Sequence, residues 1–381
     1  MKYLLFCLCF FTAGLRMTIA QQTISGSFVH DGKLRTYSFY VPASYNASKP
    51  APLLINLHGY TSDGIQQALN SGFMPIADTA GFIIAHPDGS KDFLGNRFWN
   101  YKILGVSVDD VGFLERLCDT ISAKFNINPN RIYAAGMSNG GYMSYYLACT
   151  SDRFAAVGSV TGSMPTVLYD CNPSYVTPII EMHGTADPTV QYDGNLTSKP
   201  IEDVVKYWVQ KNKCNPVPTI NEVSDIDKTD DATATHFVYT GGTDGHTVEF
   251  FKINNGGHTW PGSAFDPPLA GNTCRDFKAA KEIWRFFSQF EKNKGTAVYD
   301  RYGTNCLSFY PNPATDFLIF KNTELLSSDI QISDVSGRIV CTILKQNTSA
   351  EADISTVQPG MYFIKAESHE KVSIQKLVVV K

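Results

Sequence analysis

The hydrophobic and polar positions of this chain follow one pattern up to residue 291 and another beyond it. In the first part, short unbroken apolar runs alternate with segments whose apolar residues recur every three to four positions. Unbroken runs are typical of strands buried on both faces, and the longer period is typical of amphipathic helices. The predicted strands are 52–57, 81–85, 131–135, 155–160 and 178–182, and the predicted helices are 111–124, 140–148, 201–211 and 276–290. This alternation predicts an α/β fold with a mostly parallel sheet and helices on both faces.

Two stretches predict antiparallel hairpins instead. Residues 23–29 and 33–41 are rich in β-forming side chains and flank a turn signal at 30–32. We therefore expect a hairpin at one edge of the sheet. Residues 235–239 and 248–253 predict a second hairpin.

Beyond residue 291 the pattern changes to short strands separated by turns. Residues 292–306 are polar and contain glycine, which predicts a linker. The strands predicted after the linker are 316–321, 330–332, 360–366 and 372–380. The sequence thus predicts two domains, 21–291 and 307–381, and the second is a small all-β sandwich.

The first twenty residues have the parts of a secretory signal peptide. Lys2 precedes the apolar run 4–11, and small residues occur up to Ala20, which predicts removal of residues 1–20. The run is shorter than the ~20 residues that a membrane-spanning helix needs, and Arg16 follows it. Because no later segment is apolar enough to span a bilayer, we expect an exported protein without a transmembrane segment after cleavage.

Charge and cysteine content narrow the classes of partner. A formal net charge of −4 and an isoelectric point near 6.1 argue against nucleic acid as a partner. Two of the nine cysteines lie in the predicted signal peptide, and the others would enter an oxidising compartment. Cys149–Cys171 and Cys214–Cys274 are the preferred disulfides, although spacing leaves other connectivities open. The sequence has no Cys-x-x-Cys or clustered Cys/His spacing, so no metal site is expected.

The strongest chemical signal lies at Ser138. The predicted strand 131–135 runs into a Gly-x-Ser-x-Gly motif at 136–140, and a predicted helix follows at once. A nucleophilic serine needs such a sharp strand-to-helix turn, and it needs glycines two residues away because a Cβ there would collide with backbone. The alternative, a glycine-rich loop, does not explain the flanking strand and helix. We predict Ser138 as a nucleophile.

The order of residues along the chain selects the base, because in this arrangement the serine precedes the acid and the acid precedes the histidine. His369 lies in the second predicted domain, and His236 and His246 fall on the second hairpin, where a structural role is expected. His258 follows that hairpin in a glycine-rich loop that can reach Ser138. We predict His258 as the general base.

Asp187 is the predicted acid. It lies in the turn after strand 178–182, where its carboxylate can reach the imidazole nitrogen that faces away from the nucleophile. Asp193 remains the alternative. His183, in the same turn, is expected to brace the loop rather than to react.

Acyl transfer also needs amides directed at the oxyanion. We predict the backbone amide of Asn139, next to the nucleophile, and that of Tyr60, in the loop after strand 52–57. Trp99 and Trp260 are predicted to line a substrate pocket, although isolated aromatic residues are more often core. This chemistry requires no cofactor or metal.

Several short segments of the first predicted domain occur together in a fixed order. They are Leu57-His58-Gly59, Val108-Asp109-Asp110-Val111-Gly112-Phe113, Gly136-Met137-Ser138-Asn139-Gly140-Gly141-Tyr142-Met143, Leu147-Ala148-Cys149, His183-Gly184-Thr185-Ala186-Asp187 and Gly257-His258-Thr259-Trp260-Pro261-Gly262. Through them, residues 52–290 resemble the polyhydroxybutyrate depolymerase-like enzymes and the type one feruloyl esterases. The resemblance implies an α/β-hydrolase fold, the triad Ser138, Asp187 and His258, and a place for Trp260 beside the site.

The second predicted domain has motifs of its own. They are Tyr310-Pro311-Asn312-Pro313-Ala314, Asp334-Val335-Ser336-Gly337-Arg338, Pro359-Gly360-Met361-Tyr362-Phe363 and the final Gln375-Lys376-Leu377-Val378-Val379-Val380-Lys381. Residues 307–381 thereby resemble the type A C-terminal sorting domain of the type IX secretion system of the Bacteroidetes. The resemblance implies that this machinery is a partner and that the protein is released or attached to the cell surface. A small binding module is the alternative.

These residues and resemblances imply a secreted serine esterase that hydrolyses carboxylic esters through an acyl-enzyme. The expected substrates are feruloyl or acetyl esters on plant cell-wall polysaccharide, and a polyhydroxyalkanoate polyester is the alternative. Two further alternatives come from other classes. A non-catalytic surface binding protein would lack a member of the triad, which is complete here, and a peptidase would carry an additional guarding domain or insertion.

Overall fold

Strand β3 (Ala51–Leu57) explains why the central strands appear in the sequence as unbroken apolar runs. In the computed structural model all of its residues are buried. Leu53 and Ile55 pack into the apolar layer on one face of the sheet, and Leu54 packs into the layer on the other face. Because successive side chains of a strand point to opposite faces, a strand covered on both sides needs apolar residues at every position.

The structure describes residues 21–103, 105–166, 171–292, 308–310, 312–321, 329–334, 337–344, 351–368 and 371–380. The predicted signal peptide, 1–20, lies outside the described residues, as do residues 293–306 of the predicted linker. The chain divides into two units, Met1–Lys292 and Asn293–Lys381. We propose 21–291 and 307–381 as the domain limits.

The first unit alternates strands with helices. Its helices are α1 (Gly64–Ser71), α2 (Met74–Ala80), α3 (Asp110–Ser122), α4 (Asn139–Thr150), α5 (Ile201–Lys211) and α6 (Ala279–Phe287). Besides β3, its strands are β1 (Gln22–His30), β2 (Lys33–Val41), β4 (Ile83–Pro87), β5 (Ser90–Lys91), β6 (Arg97–Phe98), β7 (Ile127–Met137), β8 (Ala156–Val160), β9 (Ile179–Gly184), β10 (Thr219–Glu222), β11 (Thr233–Tyr239) and β12 (Val248–Asn254). Side-chain caps begin two of the helices: Asp63 accepts from the Gln66 amide at 2.9 Å, and Asp109 accepts from the Gly112 amide at 2.9 Å.

Ten of these strands form one sheet in the order β1-β2-β4-β3-β7-β8-β9-β12-β11-β10. The neighbours from β4 to β12 pair in parallel, and antiparallel pairs complete both edges. Helices cover both faces: Phe113 of α3 and Trp208 of α5 enter one apolar layer, and Ala77 of α2 and Phe286 of α6 enter the other. The predicted α/β fold and both predicted hairpins are confirmed.

In the described residues of the second unit, the regular elements are strands. They are β13 (Ser308–Tyr310), β14 (Phe317–Lys321), β15 (Ile330–Asp334), β16 (Ile339–Ile343), β17 (Glu351–Asp353), β18 (Gly360–Ser368) and β19 (Lys371–Val379). They form a three-stranded sheet, β13-β14-β17, and a four-stranded sheet, β16-β15-β18-β19. Leu318, Ile332, Ile364 and Leu377 pack together in its core. The small all-β second part predicted from the sequence is thereby confirmed.

One of the two predicted disulfides forms. Cys149, at the end of α4, is bonded to Cys171, and their Cα atoms are 4.9 Å apart. The predicted pair Cys214–Cys274 is wrong, because both of these thiols are free and buried in different apolar clusters. Within the described parts of the chain, no helix is long and apolar enough to cross a membrane.

Candidate active site

Ser138 lies in the turn between β7 and α4, at the carboxyl edge of the central sheet. Its backbone has φ 55° and ψ −119°, a conformation that costs energy in any residue with a side chain. Two hydrogen bonds hold this conformation: the Ser138 amide donates to Val160 O at 2.8 Å, and the Tyr142 amide donates to Ser138 O at 3.0 Å. The predicted nucleophile therefore projects from a strained turn that the sheet and the helix fix from both sides.

The glycines of the motif are required by close backbone contacts. A Cβ on Gly136 would lie 2.4 Å from the carbonyl carbon of Gly140. A Cβ on Gly140 would lie 2.4 Å from Leu57 O. Strands β3 and β7 and helix α4 can therefore approach this closely only because both positions lack side chains.

His258 and Asp187 lie together as the sequence predicts. His258 Nδ1 is 2.8 Å from Asp187 Oδ2. The other carboxylate oxygen of Asp187 accepts from the backbone amides of Thr189 and Val190, both at 2.8 Å. A buried carboxylate accepts, so Nδ1 carries the hydrogen and Nε2 remains available as a base. Asp193, the alternative acid, is exposed.

The loops that carry these two residues pack backbone against backbone. The Ala186 amide donates to Gly256 O at 2.9 Å, and the His258 amide donates to Ala270 O at 2.5 Å. A Cβ on Gly184 would lie 2.1 Å from Gly256 O, and one on Gly257 would lie 2.0 Å from Ala270 O. The separation of Asp187 from His258 is thus set mainly by main-chain contacts.

The loop with Tyr60 lies directly beside Ser138. A Cβ on Gly59 would be 3.5 Å from Ser138 Cβ. The buried ring of His58 anchors this loop, since the Gly89 amide donates to its Nε2 at 2.9 Å and its Nδ1 lies 2.6 Å from Gly59 O. The ring therefore accepts at one nitrogen and donates at the other, which requires a neutral imidazole; burial also lowers the pKa of His58.

Asn139 has a role beyond its predicted backbone amide. Its side chain binds the backbone of Trp99 twice, because Oδ1 accepts from the Trp99 amide at 2.6 Å and Nδ2 donates to Trp99 O at 3.1 Å. The next residue, Asn100, donates its amide to Asp110 at 2.7 Å, and Arg35 donates to the other oxygen of that carboxylate at 2.6 Å. A buried ion pair thus supports the loop that holds Asn139. This ion pair was not predicted, although Asp110 lies in one of the segments that carry the family resemblance.

A cavity of about 1100 Å³ contains the candidate site. Ser138, His258, Tyr60 and Trp260 all line it. Trp99 is not among the described lining residues; it is fully buried, and its Nε1 donates to His58 O at 3.0 Å. The prediction for Trp99 is therefore corrected: this indole supports the Tyr60 loop and has no exposed surface for a substrate.

The rest of the cavity wall is mostly apolar. Its hydrophobic lining residues are Leu69, Pro75, Ile76, Met137, Pro261, Ala264, Phe265, Pro267, Pro268, Leu269, Ala270 and Ala280. Asn70 of α1 accepts from the Ser263 hydroxyl at 2.8 Å, which joins two sides of the cavity. Lys278 and Lys281 also line it, and no carboxylate occurs among the described lining residues.

Two family models match this chain. Residues 35–190 match the family described as Esterase PHB depolymerase, and residues 308–380 match the Secretion system C-terminal sorting domain. Both resemblances are confirmed. The first match includes the Ser138 turn and Asp187, and the second covers nearly the whole β-stranded unit.

Two curated relatives belong to the groups that the motifs resemble. Feruloyl esterase B of Piromyces equi is 31% identical over 230 residues, which are 57% of this chain and 41% of that protein. Poly(3-hydroxybutyrate) depolymerase of Ralstonia pickettii is 33% identical over 167 residues, 40% of this chain and 34% of that protein. The chain therefore spans less than half the length of either relative. Among solved structures, acetyl xylan esterase from Aspergillus awamori gives a TM-score of 0.48 at 14% identity and covers 67% of this chain and 94% of its own.

Proposed function

We propose that this protein is a secreted serine esterase that hydrolyses carboxylic esters through an acyl-enzyme. The observation that carries the proposal is that Ser138, on its strained turn, shares a cavity with His258, whose Nδ1 is bound by the buried Asp187. A nucleophile, a base with one free nitrogen and an oriented acid are the groups that acyl transfer needs.

Each residue then has a defined step. His258 Nε2 takes the proton of the Ser138 hydroxyl as its oxygen attacks the ester carbonyl. The backbone amides of Tyr60 and Asn139 stabilise the oxyanion, and Asp187 stabilises the imidazolium. His258 returns the proton to the departing alcohol, and a water molecule then repeats the sequence on the acyl-enzyme and releases the acid.

For the substrate, we propose feruloyl or acetyl esters on plant cell-wall polysaccharide, and a polyhydroxyalkanoate polyester is the second candidate. The similarity to feruloyl esterase B supports the first, and the similarity to the poly(3-hydroxybutyrate) depolymerase supports the second. The largely apolar cavity suits an aryl acid or a short aliphatic oligoester. Trp260 is the proposed aromatic contact, because it lines the cavity and, unlike Trp99, keeps a small part of its surface (2%) exposed.

The protein is secreted or held at the cell surface, as the sorting-domain match indicates. We propose that residues 307–381 are the part that the type IX secretion machinery recognises.

Ser138→Ala tests the proposed reaction. Turnover of a neutral aryl acetate should fall by at least ~10³-fold, because the variant lacks the nucleophile. Ser25→Ala, on the exposed face of edge strand β1, is the control and should retain wild-type turnover. If Ser138→Ala hydrolyses the ester as fast as the wild type, the mechanism is wrong and the non-catalytic binding protein becomes the better hypothesis.

The substrate class requires a separate assay. Methyl ferulate, acetylated xylan and polyhydroxybutyrate should be compared side by side with the wild type and with Ser138→Ala. Faster Ser138-dependent release from the first two supports the polysaccharide ester. Release from the polyester alone would favour the second candidate.

A further inference from the structure

Two ionisable side chains that the proposed mechanism does not use lie buried beside Asp187. Glu181 and His183 are both on β9, and neither is accessible to solvent. His183 Nδ1 lies 3.1 Å from Glu181 Oε1, and its Nε2 lies 3.4 Å from Asp187 Oδ2, the oxygen that also binds His258. Because a buried charge is costly unless it is paired, the protonation state of each of these groups depends on the others.

The hydrogen bonds determine where most of the protons lie. His183 Nε2 is 2.8 Å from Val190 O, and since a carbonyl oxygen only accepts, Nε2 carries a hydrogen. The Tyr145 hydroxyl donates to Glu181 Oε2 at 2.6 Å, so that oxygen is an acceptor. One further proton lies between Nδ1 and Oε1. Its position decides whether the two side chains are an ion pair or a neutral pair.

The surroundings favour that proton on His183. Burial by itself disfavours the imidazolium, but the hydrogen bond and charge of Glu181, together with the charge of Asp187, outweigh burial and raise the pKa of His183. Burial also raises the pKa of Glu181, and the hydrogen bond and charge of His183 together with the Tyr145 hydrogen bond oppose that rise and favour the carboxylate. The imidazole thus lies between two carboxylates. Protonating it compensates both of them.

The other ionisable groups around this cluster have partners of their own. Tyr192, whose ring centroid is 6.3 Å from that of His183, donates to Glu202 at 2.9 Å. Lys252, opposite His183 in the pairing of β12 with β9, binds the same carboxylate at 3.1 Å. His258 contacts Asp187. Glu181, which is hydrogen-bonded to His183, and Asp187 are therefore the anions that favour a proton on His183.

We propose that Glu181 and His183 form a buried ion pair that positions Asp187 and sets the pH range in which His258 acts as a base. The inference rests on the proposed function. An imidazolium 3.4 Å from Asp187 partly offsets the negative charge of that carboxylate. It thereby weakens the pull of Asp187 on a proton at His258 and keeps the base free to lower pH. Glu181 and His183 are positioning residues that act through Asp187.

Glu181→Gln tests the proposal, because the amide keeps the shape of the side chain and removes its charge. Its oxygen can accept from Tyr145, and its NH₂ group can donate to a neutral His183. Asp187 then holds a proton on His258 more strongly. We expect the acidic limb of the kcat/KM profile for a neutral aryl acetate to move up by about half a pH unit or more, while the plateau changes by less than about threefold.

Glu249→Gln is the matched control. Glu249 is also a buried carboxylate of the central sheet bound to a histidine, since its Oε2 lies 2.7 Å from His236 Nε2, and it also pairs with Arg285. The same chemical change there should leave the acidic limb in place. Tyr145→Phe keeps both charges of the ion pair, so it should move the limb less than Glu181→Gln does.

An acidic limb that stays in place, or that moves to lower pH, in Glu181→Gln would overturn the proposal. If circular dichroism shows that this variant is unfolded, His183→Gln gives the same test, because it also removes the positive charge beside Asp187. The upward shift is then expected in His183→Gln. Failure of the proposed function would look different, because Ser138→Ala would then retain activity. Failure of the ion-pair proposal alone leaves Ser138→Ala inactive and the acidic limb of Glu181→Gln at its wild-type position.

Discussion

Gly140 holds the nucleophile turn against the loop that carries Tyr60. A Cβ at this position would lie 2.4 Å from Leu57 O and 2.7 Å from His58 O, so Gly140→Ala must displace either α4 or that loop. A displacement of about 1 Å at a reacting group can cost on the order of 100-fold in rate. We expect kcat/KM for an aryl acetate to fall by at least about that factor.

A second glycine supplies the control for this prediction. Gly241 has φ +78° with open space around it. Gly241→Ala should cost about 1 kcal/mol of stability through backbone strain and leave kcat/KM unchanged. Wild-type kcat/KM in Gly140→Ala would contradict the steric argument.

His86 makes the stability of the fold depend on pH. Its Nδ1 lies 3.3 Å from the Asn56 amide group, and burial lowers the pKa of His86 to about 4 from an ordinary value of 6.5. Below about pH 6.5 the unfolded chain therefore binds a proton at His86, whereas the folded chain binds it only near pH 4. The free energy of unfolding falls as the pH drops from about 6.5 towards 4. Between pH 7 and pH 5, His86 should cost the wild type on the order of 1–2 kcal/mol.

Urea unfolding of the wild type and of His86→Gln at both pH values measures this contribution. The glutamine cannot take up a proton, so the stability of the wild type relative to the variant should decrease from pH 7 to pH 5. A difference that stays constant between the two pH values would show that His86 does not titrate in this way.

The proposed catalytic residues could be predicted from the sequence more readily than the residues that support them. Ser138, Asp187 and His258 follow from one motif and from chain order, because a nucleophile turn has a fixed local sequence. The contacts of the Asn139 side chain with Trp99 follow no local rule, because the two residues are 40 positions apart in the chain. Glu181 and His183 lie two positions apart on β9, but their burial beside Asp187 depends on the elements that pack over that strand. The burial of Trp99 also depends on the whole fold, which is why this residue was wrongly predicted to line the pocket.

At the scale of elements, the longer strands and helices with apolar patterns were predicted, whereas the short helices α1 and α2 were not. Helix α5 begins and ends at the predicted residues, and β3 differs from its prediction by one residue. The buried positions of α1 include Gln67 and Ser71, which bind the buried Asn56 at 3.0 Å and 2.8 Å. A helix that packs through polar contacts has no hydrophobic period, so periodicity cannot reveal it.

The start of α6 places two lysines beside the cavity. Lys278 and Lys281 line the cavity, and no carboxylate occurs among the described lining residues. An aryl ester of a dicarboxylic acid should therefore bind better than its neutral analogue. In the double variant Lys278→Gln/Lys281→Gln, we expect kcat/KM for the anionic ester to fall about 3–10-fold at low salt, with no change for the neutral ester.

Salt and a second pair of lysines test whether the effect is local. Because both side chains are exposed, 0.5 M NaCl should remove most of the difference. Lys49→Gln/Lys124→Gln, at exposed positions outside the cavity, is the matched control and should not alter the ratio between the two esters. An equal loss in both double variants would mean that only net charge matters.

At the scale of the whole molecule, each unit has a hydrophobic core of its own. A chain that ends at residue 306 should therefore fold and retain the aryl esterase activity of the full chain. In a host with type IX secretion, it should remain in the cell instead of reaching the medium or the surface. Immunoblotting of cell and medium fractions measures this outcome, with the full-length chain as control. Unchanged export of the shortened chain would refute the proposed role of residues 307–381.

The main-chain contacts between the Asp187 and His258 loops bear on how such a catalyst can be re-engineered. The close contacts of Gly184, Gly256 and Gly257 leave no room for a side chain. Because these contacts fix the distance between Asp187 and His258, substitutions elsewhere in the cavity should not change it. Phe265 and Leu269, by contrast, line the cavity with most of their surface exposed. A mutant library restricted to such wall positions can change which acid or alcohol part of an ester the cavity binds, while Ser138, His258 and Asp187 keep their relative positions. A library that includes the three glycines would consist largely of inactive clones.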